Sequence, residues 1–308
     1  MKILLFIVIS LASWSVFAAP NHWQDTTTVD FTEQSNHRKL ALVSSAHVLT
    51  FTGTLLLLDY MWYRDFPRES FHFHNDMKDW KQMDKLGHIT STFHISKLSF
   101  RSFRWAGLQN NSAAYWGSIS GIMFLTTIEI LDGFSKEWGF SWPDMAANAL
   151  GSASFVSQQI FWEEQKITWK YSYSQTGIEK HRPDLLGNSL GENLVKDYNG
   201  HTFWLSFNFH SLLKLSDGFP KWLNLAIGHG AYGMLGSYEN PEFYNHTPLP
   251  QLQRYRQWYI APDIDFSRIN TGSPFFDQLL GTLNFLKMPS PALEYNAKDK
   301  WKIHWVFF

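Results

Sequence analysis

No cysteine occurs among the 308 residues. The chain therefore forms no disulfide, carries no thiolate nucleophile or thiolate metal ligand, and cannot take a lipid at a mature N-terminal Cys. Charge of either sign is also scarce: 26 basic residues stand against 27 acidic ones, and together they make up 17 % of the chain. No basic field exists to gather phosphates, so a nucleic-acid partner has no electrostatic support. The H-E-x-x-H pattern does not occur, and the one G-x-S-x-G of the hydrolase kind, Gly187-Asn188-Ser189-Leu190-Gly191, lies in a charged stretch punctuated by glycine and proline rather than between a predicted strand and helix. Glu-x-x-His, which di-metal helical bundles draw from two of their helices, occurs once, at Glu69-Ser70-Phe71-His72, outside the predicted helices. Internal repeats and low-complexity tracts are missing as well.

Aromatic residues, by contrast, reach 17 %, with 15 Trp. Rings with one wet and one dry edge suit membrane interfaces and tight apolar cores. Residues 1–18 read as a secretory signal peptide: Lys2 gives the positive start, Ile3 to Phe17 the apolar stretch, and Val16-Phe17-Ala18 a cleavage pattern. An uncleaved signal anchor is the competing reading. Between Lys39 and Asp59 an uncharged stretch, Leu40 to Leu58, has the length of a bilayer span or a buried helix. Ala113 to Ile128 is apolar but short for a span. Met145 to Trp162 is uncharged but dotted with Asn148, Ser152, Ser154, Gln158 and Gln159, and its small residues suit close helix packing.

Spacings of three and four predict the helical faces. Asp84, His88, Ser91, Ile95 and Leu98 share one face of a helix expected over 79–100. Ser118, Ile122, Leu125, Glu129 and Asp132 share another, and Asp144, Asn148, Gly151, Phe155 and Gln158 a third. Each stripe is polar at one end, as in a bundle with a polar pocket near that end. The fold class expected is mainly α, a membrane-associated helical bundle over 38–165 with a C-terminal antiparallel β extension. Residues 166–200 are charged and punctuated by glycine and proline, and read as a connector. In the extension, over 201–308, Phe203, Leu205, Phe207 and Phe209 alternate with polar neighbours. Trp222 to Met234, Arg256 to Phe266 and Trp301 to Phe308 are further strand candidates, with a short helix over Phe275 to Leu286. Four strands are too few to close a membrane barrel.

The candidate site comprises Asp84, Lys85, His88, Glu129, Asp132, Asp144 and Asn148. Such groups are costly to bury singly, so three polar helix faces are expected to meet. Asp84, His88, Glu129 and Asp132 are an oxygen-rich set with one imidazole, able to hold a divalent cation such as Mn, Fe or Zn. Two other readings stand beside it: a hydrogen-bonded ion network with Lys85 as counterion, and a catalytic acid and base. Asp144 also has a structural explanation, because Ser141-Trp142-Pro143-Asp144 is a helix start with Ser as cap. Asn148 has none. His72, His74 and Asp76 read as a solvated loop rather than a metal site. Gly228-His229-Gly230-Ala231-Tyr232-Gly233 fits G-x-G-x-x-G, but the prolines and glycines that follow leave no helix for a nucleotide site, so no nucleotide is expected.

The series Asp84-Lys85-Leu86-Gly87-His88, Glu129-x-x-Asp132 and Trp138-Gly139-Phe140-Ser141-Trp142-x-Asp144-x-x-x-Asn148-x-x-Gly151 resembles the YfiM-like family of predicted periplasmic lipoproteins. More distantly, its order is similar to that of VanZ-like membrane proteins. The resemblance covers residues 80–160. Lys196 to Gly200, Trp204-Leu205-Ser206 and Trp258 to Asp265 resemble longer relatives of the same group. It implies an envelope location and a helical core but no reaction, and the missing cysteine departs from the lipoprotein label. The function expected is a structural or binding role at the periplasm or outer membrane of a Gram-negative cell, with membrane lipid or an envelope protein as partner. The alternative is a metal-dependent or acid/base enzyme acting on a lipid-linked or cell-wall substrate. There, Glu129 or Asp132 would be the base, His88 the acid or ligand, and Lys85 the holder of an anionic headgroup.

Overall fold

The computed structural model describes residues 36–63 and 66–308. The expected signal peptide lies outside them. The chain is α+β and divides into two compact units, one formed by the described residues up to 77 together with 88–165, the other by 78–87 and 166–308.

The first unit is helical. Its α1 (His37–Leu58) opens on Asn36, whose side chain accepts from the backbone N–H groups of Arg38 and Lys39. Most of α2 (Met83–Trp105), from His88 onward, belongs to this unit, with α3 (Asn110–Gly133) and α4 (Trp142–Phe161). Leu58, Tyr63, Ile95, Phe124, Leu125 and Ile128 form an apolar core shared by α1, α2 and α3. On the other side α4 lies against α2 so closely that a Cβ on Gly151 would stand 2.3 Å from the Ile89 carbonyl oxygen. Such contact between helix backbones is the packing that small residues permit.

Much of what these helices bury is polar. Thr92, Ser96, Ser99 and Ser102 of α2, Ser118 of α3, and Asn148, Ser152, Gln158 and Gln159 of α4 are all buried. Several are satisfied locally or between helices, as where His47 Nε2 of α1 meets Ser99 Oγ at 2.9 Å and Ser152 donates to the Ser118 carbonyl, whereas Ser96 Oγ and Ser118 Oγ have no hydrogen-bond partner among the described residues. Large apolar side chains are left outside, among them Leu49, Leu56, Trp116, Met123 and Phe161. Both α1 and α3 are long and apolar enough to cross a membrane. Of the most apolar stretch, 17 % is buried in α1 and 44 % in α3.

The start of α2 differs from expectation. A continuous helix from Asp79 was predicted, whereas Trp80, Lys81 and Gln82 all adopt left-handed backbone angles, with φ of 47°, 51° and 64°. Each costs roughly 1–2 kcal/mol for a residue with a Cβ. Bonds made elsewhere in the second unit hold the turn: Trp80 N–H donates to the Ser237 carbonyl, and Arg256 reaches the Lys81 carbonyl and the Gln82 side chain.

The second unit is built on a six-stranded antiparallel sheet in the order β1 (Ile167–Tyr173), β2 (His201–Asn208), β3 (Leu223–Tyr232), β6 (Tyr255–Ile264), β7 (Ser290–Asn296), β8 (Lys300–Phe307). A small hairpin, β4 (Phe243–Tyr244) and β5 (Thr247–Pro248), interrupts the meander between β3 and β6. Short helices α5 (Pro183–Leu186) and α6 (Leu190–Lys196) link β1 to β2, α7 (Phe209–Leu213) follows β2, and α8 (Pro274–Leu283) precedes β7. Tyr171 N–H donates to the Phe285 carbonyl, and its own carbonyl accepts from Lys287 N–H. The residues leading into β7 thus reach the outer edge of β1, and the sheet curls round. Two of its strands were not expected: β1 lies in the presumed connector, and β7 in a stretch containing Pro291, Glu294 and Asn296.

Inside the curl sit polar and charged groups. Lys170 Nζ and Asp263 Oδ2 are 2.8 Å apart with both side chains at 0 % exposure, Ser206 donates to the same oxygen, and Lys287 lies 3.9 Å from the other. Trp204 crosses Gly228, where a Cβ would stand 2.6 Å from the ring, and donates from Nε1 to Ser172 Oγ. The glycine motif of β3 is therefore a packing site for an aromatic ring.

Removing one partner of a buried ion pair leaves a charge without compensation. Lys170→Met is expected to destabilise the protein by roughly 3–5 kcal/mol in denaturant titration, while Lys298→Met on the exposed turn between β7 and β8 has almost no effect. Equal stabilities for the two variants would contradict the assignment of Lys170 as a structural charge.

Candidate functional site

Three helices of the first unit bring His88, Glu129, Asp144 and Asn148 together. His88 lies near the start of α2, Glu129 in the last turns of α3, and Asp144 and Asn148 in the first turns of α4. All four are buried, with 5 %, 1 %, 4 % and 0 % exposure.

The local reason for α4 is visible in its first turn. Ser141 is the N-cap: its hydroxyl accepts from Asp144 N–H at 3.1 Å and donates to Asp76 at 2.6 Å, with Pro143 in the opening turn. The cap therefore uses the backbone of Asp144 and leaves its carboxylate for other work. That carboxylate turns to His88, with Oδ1 3.8 Å from Nε2. Glu129 Oε1 stands 3.6 Å from the same nitrogen, and Oε2 accepts from Ser141 N–H at 3.2 Å.

Asn148 fixes the imidazole. His88 Nδ1 lies 2.9 Å from Asn148 Oδ1, which also has the Thr92 hydroxyl at 3.2 Å. An amide oxygen only accepts, so Nδ1 carries the proton, and Nε2 is the nitrogen presented to the two carboxylates. This is the arrangement of a ligating histidine whose far nitrogen is oriented by a second polar group. Separations of 3.6 and 3.8 Å are too long for hydrogen bonds. Ligand atoms about 2.1 Å from one ion and subtending roughly 110–130° at it stand about 3.4–3.8 Å apart. Each carboxylate oxygen thus stands from His88 Nε2 at the spacing of two neighbours around a cation.

Three further expected members are Asp132, Asp84 and Lys85. Asp132, one turn beyond Glu129, accepts from the Tyr63 hydroxyl at 2.8 Å. Burial first, then the Asp132 carboxylate, holds that phenol protonated well above its usual range, so it remains a donor. Asp84 stands one turn before His88 on α2 and so on the same helical face. In the second unit its carboxylate pairs with Lys85 at 3.3 Å and accepts from the Tyr198 hydroxyl at 2.5 Å. His72 of the loop meets the Trp138 carbonyl through Nε2. Nothing in the spacing of Glu129 and Asp132 distinguished their fates, because Tyr63 comes from a distant part of the sequence. Thr92 was not among the expected residues, although it stands one turn beyond His88 on the predicted helix.

Residues 69–158 match a family described as predicted periplasmic lipoprotein (DUF2279). The match covers under a third of the chain and contains every residue of the candidate site. It fits an envelope protein of uncharacterised function, exported to the periplasm. The lipoprotein part of the description has no counterpart here, since the chain has no cysteine. No curated protein and no solved structure matches the chain.

If Asn148 orients the ring, Asn148→Leu, close in volume but without the acceptor, releases Nδ1 and costs about 1–3 kcal/mol. In 15N spectra, the His88 nitrogens should then lose their single-tautomer pattern while other histidines keep theirs. An unchanged His88 signature would show that the ring is fixed by something else.

Proposed function

We propose that this chain is a membrane-associated protein of the Gram-negative cell envelope, and that its helical bundle is a binding module holding a divalent cation between His88, Glu129 and Asp144. The observation that carries the reading is the pair of buried carboxylates at 3.6 and 3.8 Å from one imidazole nitrogen whose partner nitrogen is already committed. A divalent cation would stabilise two buried carboxylates where water does not reach. One imidazole and two oxygen donors suit Mn, Fe or Zn. Asn148 Nδ2, buried and without an acceptor among the described residues, fits an oxygen that arrives with the ion, such as that of a coordinated water.

Burial weighs against the enzyme reading. Groups at 5 % exposure or less do not meet a cell-wall polymer or a lipid headgroup directly. The site therefore supports a structural or binding role better than catalysis on such substrates. Membrane association is supported by the exposed apolar length of α1 and the partly exposed α3, and an envelope address by the match of residues 69–158 to predicted periplasmic lipoproteins.

Elemental analysis of the full chain purified in detergent tests this. About one equivalent of Mn, Fe or Zn per chain is expected, lost in His88→Ala and retained in Asp132→Asn, with both variants keeping their helical circular dichroism. Protein that carries none of these metals and gains no thermal stability when each is added would overturn the proposal.

A further inference from the structure

The second unit has its polarity reversed. In register across β2, β3, β6, β7 and β8 runs the row Leu205, Ile227, Ile260, Leu293, Ile303, every member aliphatic. Two residues along each strand, on the same face, runs Phe203, His229, Trp258, Tyr295, Trp301, every member a ring. Neither row contains an acid, a lysine or an arginine. On β6, β7 and β8 these side chains are exposed, Trp258 at 50 %, Ile260 at 47 % and Ile303 at 64 %, with Trp305 beyond them at 79 %. The opposite face of the same strands carries Lys170, Ser206, Asn208, Asn224, Asp263, Glu294 and Asn296, all buried.

A sheet in water places its apolar face on a core and its polar face outside. This one buries ion pairs and shows aliphatic rows to its surroundings, which is the pattern of strands that face lipid. The order of chemistry along the strands agrees. Beyond the aromatic row come Lys298 in the turn between β7 and β8 and Lys300 at the start of β8, both exposed, against the single acid Asp299 of that turn. Aliphatic, then aromatic, then cationic is the sequence from hydrocarbon through interface to anionic phosphates. A protein-binding patch would instead ring an aromatic centre with polar residues on all sides.

We propose that the outward face of the β3–β6–β7–β8 sheet is seated in the hydrocarbon of an anionic lipid bilayer, with the Trp258–Tyr295–Trp301 row at the headgroup boundary. Strands of seven or eight residues at β1, β2, β7 and β8 fall short of the roughly 9–11 that a crossing strand needs, so the sheet is embedded rather than a complete transmembrane wall. The inference concerns a different unit from the cation site and stands or falls separately.

The absence of native cysteine makes the test direct. Ile260→Cys, Ile303→Cys and Asp217→Cys, the last in the solvated loop before β3, are each labelled with a nitroxide in the full chain. Each is then reconstituted into vesicles of phosphatidylethanolamine and phosphatidylglycerol. Electron paramagnetic resonance measures collision with oxygen, which concentrates in lipid, and with a water-soluble nickel chelate. The ratio of oxygen to nickel accessibility is expected to be several-fold higher at 260 and 303 than at 217. Comparable ratios at all three sites would show the face to be in water. Shielding of 260 and 303 from both reagents would show it covered by protein, a second copy included. Either result overturns the proposal.

Discussion

The constraint on which the molecule depends is that each unit buries a set of polar and charged side chains, which must find partners there. In the sheet this means Lys170 against Asp263, both at 0 % exposure, with Ser206 and Lys287 completing the set. In the helical unit it means His88, Glu129, Asp144 and Asn148, with the serines and glutamines of α2 and α4 around them. Burying such groups costs several kcal/mol each unless they are paired. The pairing therefore fixes strand register and helix rotation at the positions where it occurs.

Large apolar side chains are correspondingly left exposed in each unit, beside charged ones. Leu49, Leu56 and Met123 on the helices and Ile260, Ile303 and Trp305 on the sheet are among them. A chain with only 17 % charged residues and 17 % aromatics has little with which to clothe a surface in water. The small residues belong to the same account. Where polar stripes face each other, helices gain by approaching closely, as Gly151 does at Ile89, because dispersion and interhelical hydrogen bonds replace the apolar core.

Much of the helical site was legible because helical periodicity is local. His88, Glu129, Asp144 and Asn148 were found from spacings of three and four, and Ser141 was identified as a cap from the residues just after it. What spacing could not show was the partner from elsewhere. Asp132 was grouped with the site, yet Tyr63 claims it, and Asp144 supplies the carboxylate in its place. The helix expected from Asp79 begins at Met83 because Ser237 and Arg256, more than 150 positions away, hold the turn before it in a left-handed path. In the sheet, strands rich in aromatic residues announced themselves by alternation. The strand β1 did not: Thr168, Lys170 and Ser172 look like connector residues until the curled sheet gives them an interior to line. The strand β7 was hidden likewise by Pro291 and Glu294. A pattern that hides charge inside a sheet reads as a loop to any rule that expects charge outside.

Sedimentation velocity together with near-ultraviolet circular dichroism, recorded as detergent is diluted through its critical micelle concentration, tests this account most directly. The purified full chain is expected to be a single species with a well-defined aromatic signal above that concentration, and to associate into large aggregates below it. A single small species with an unchanged aromatic signal in detergent-free buffer would contradict the claim that the apolar exterior is built for lipid.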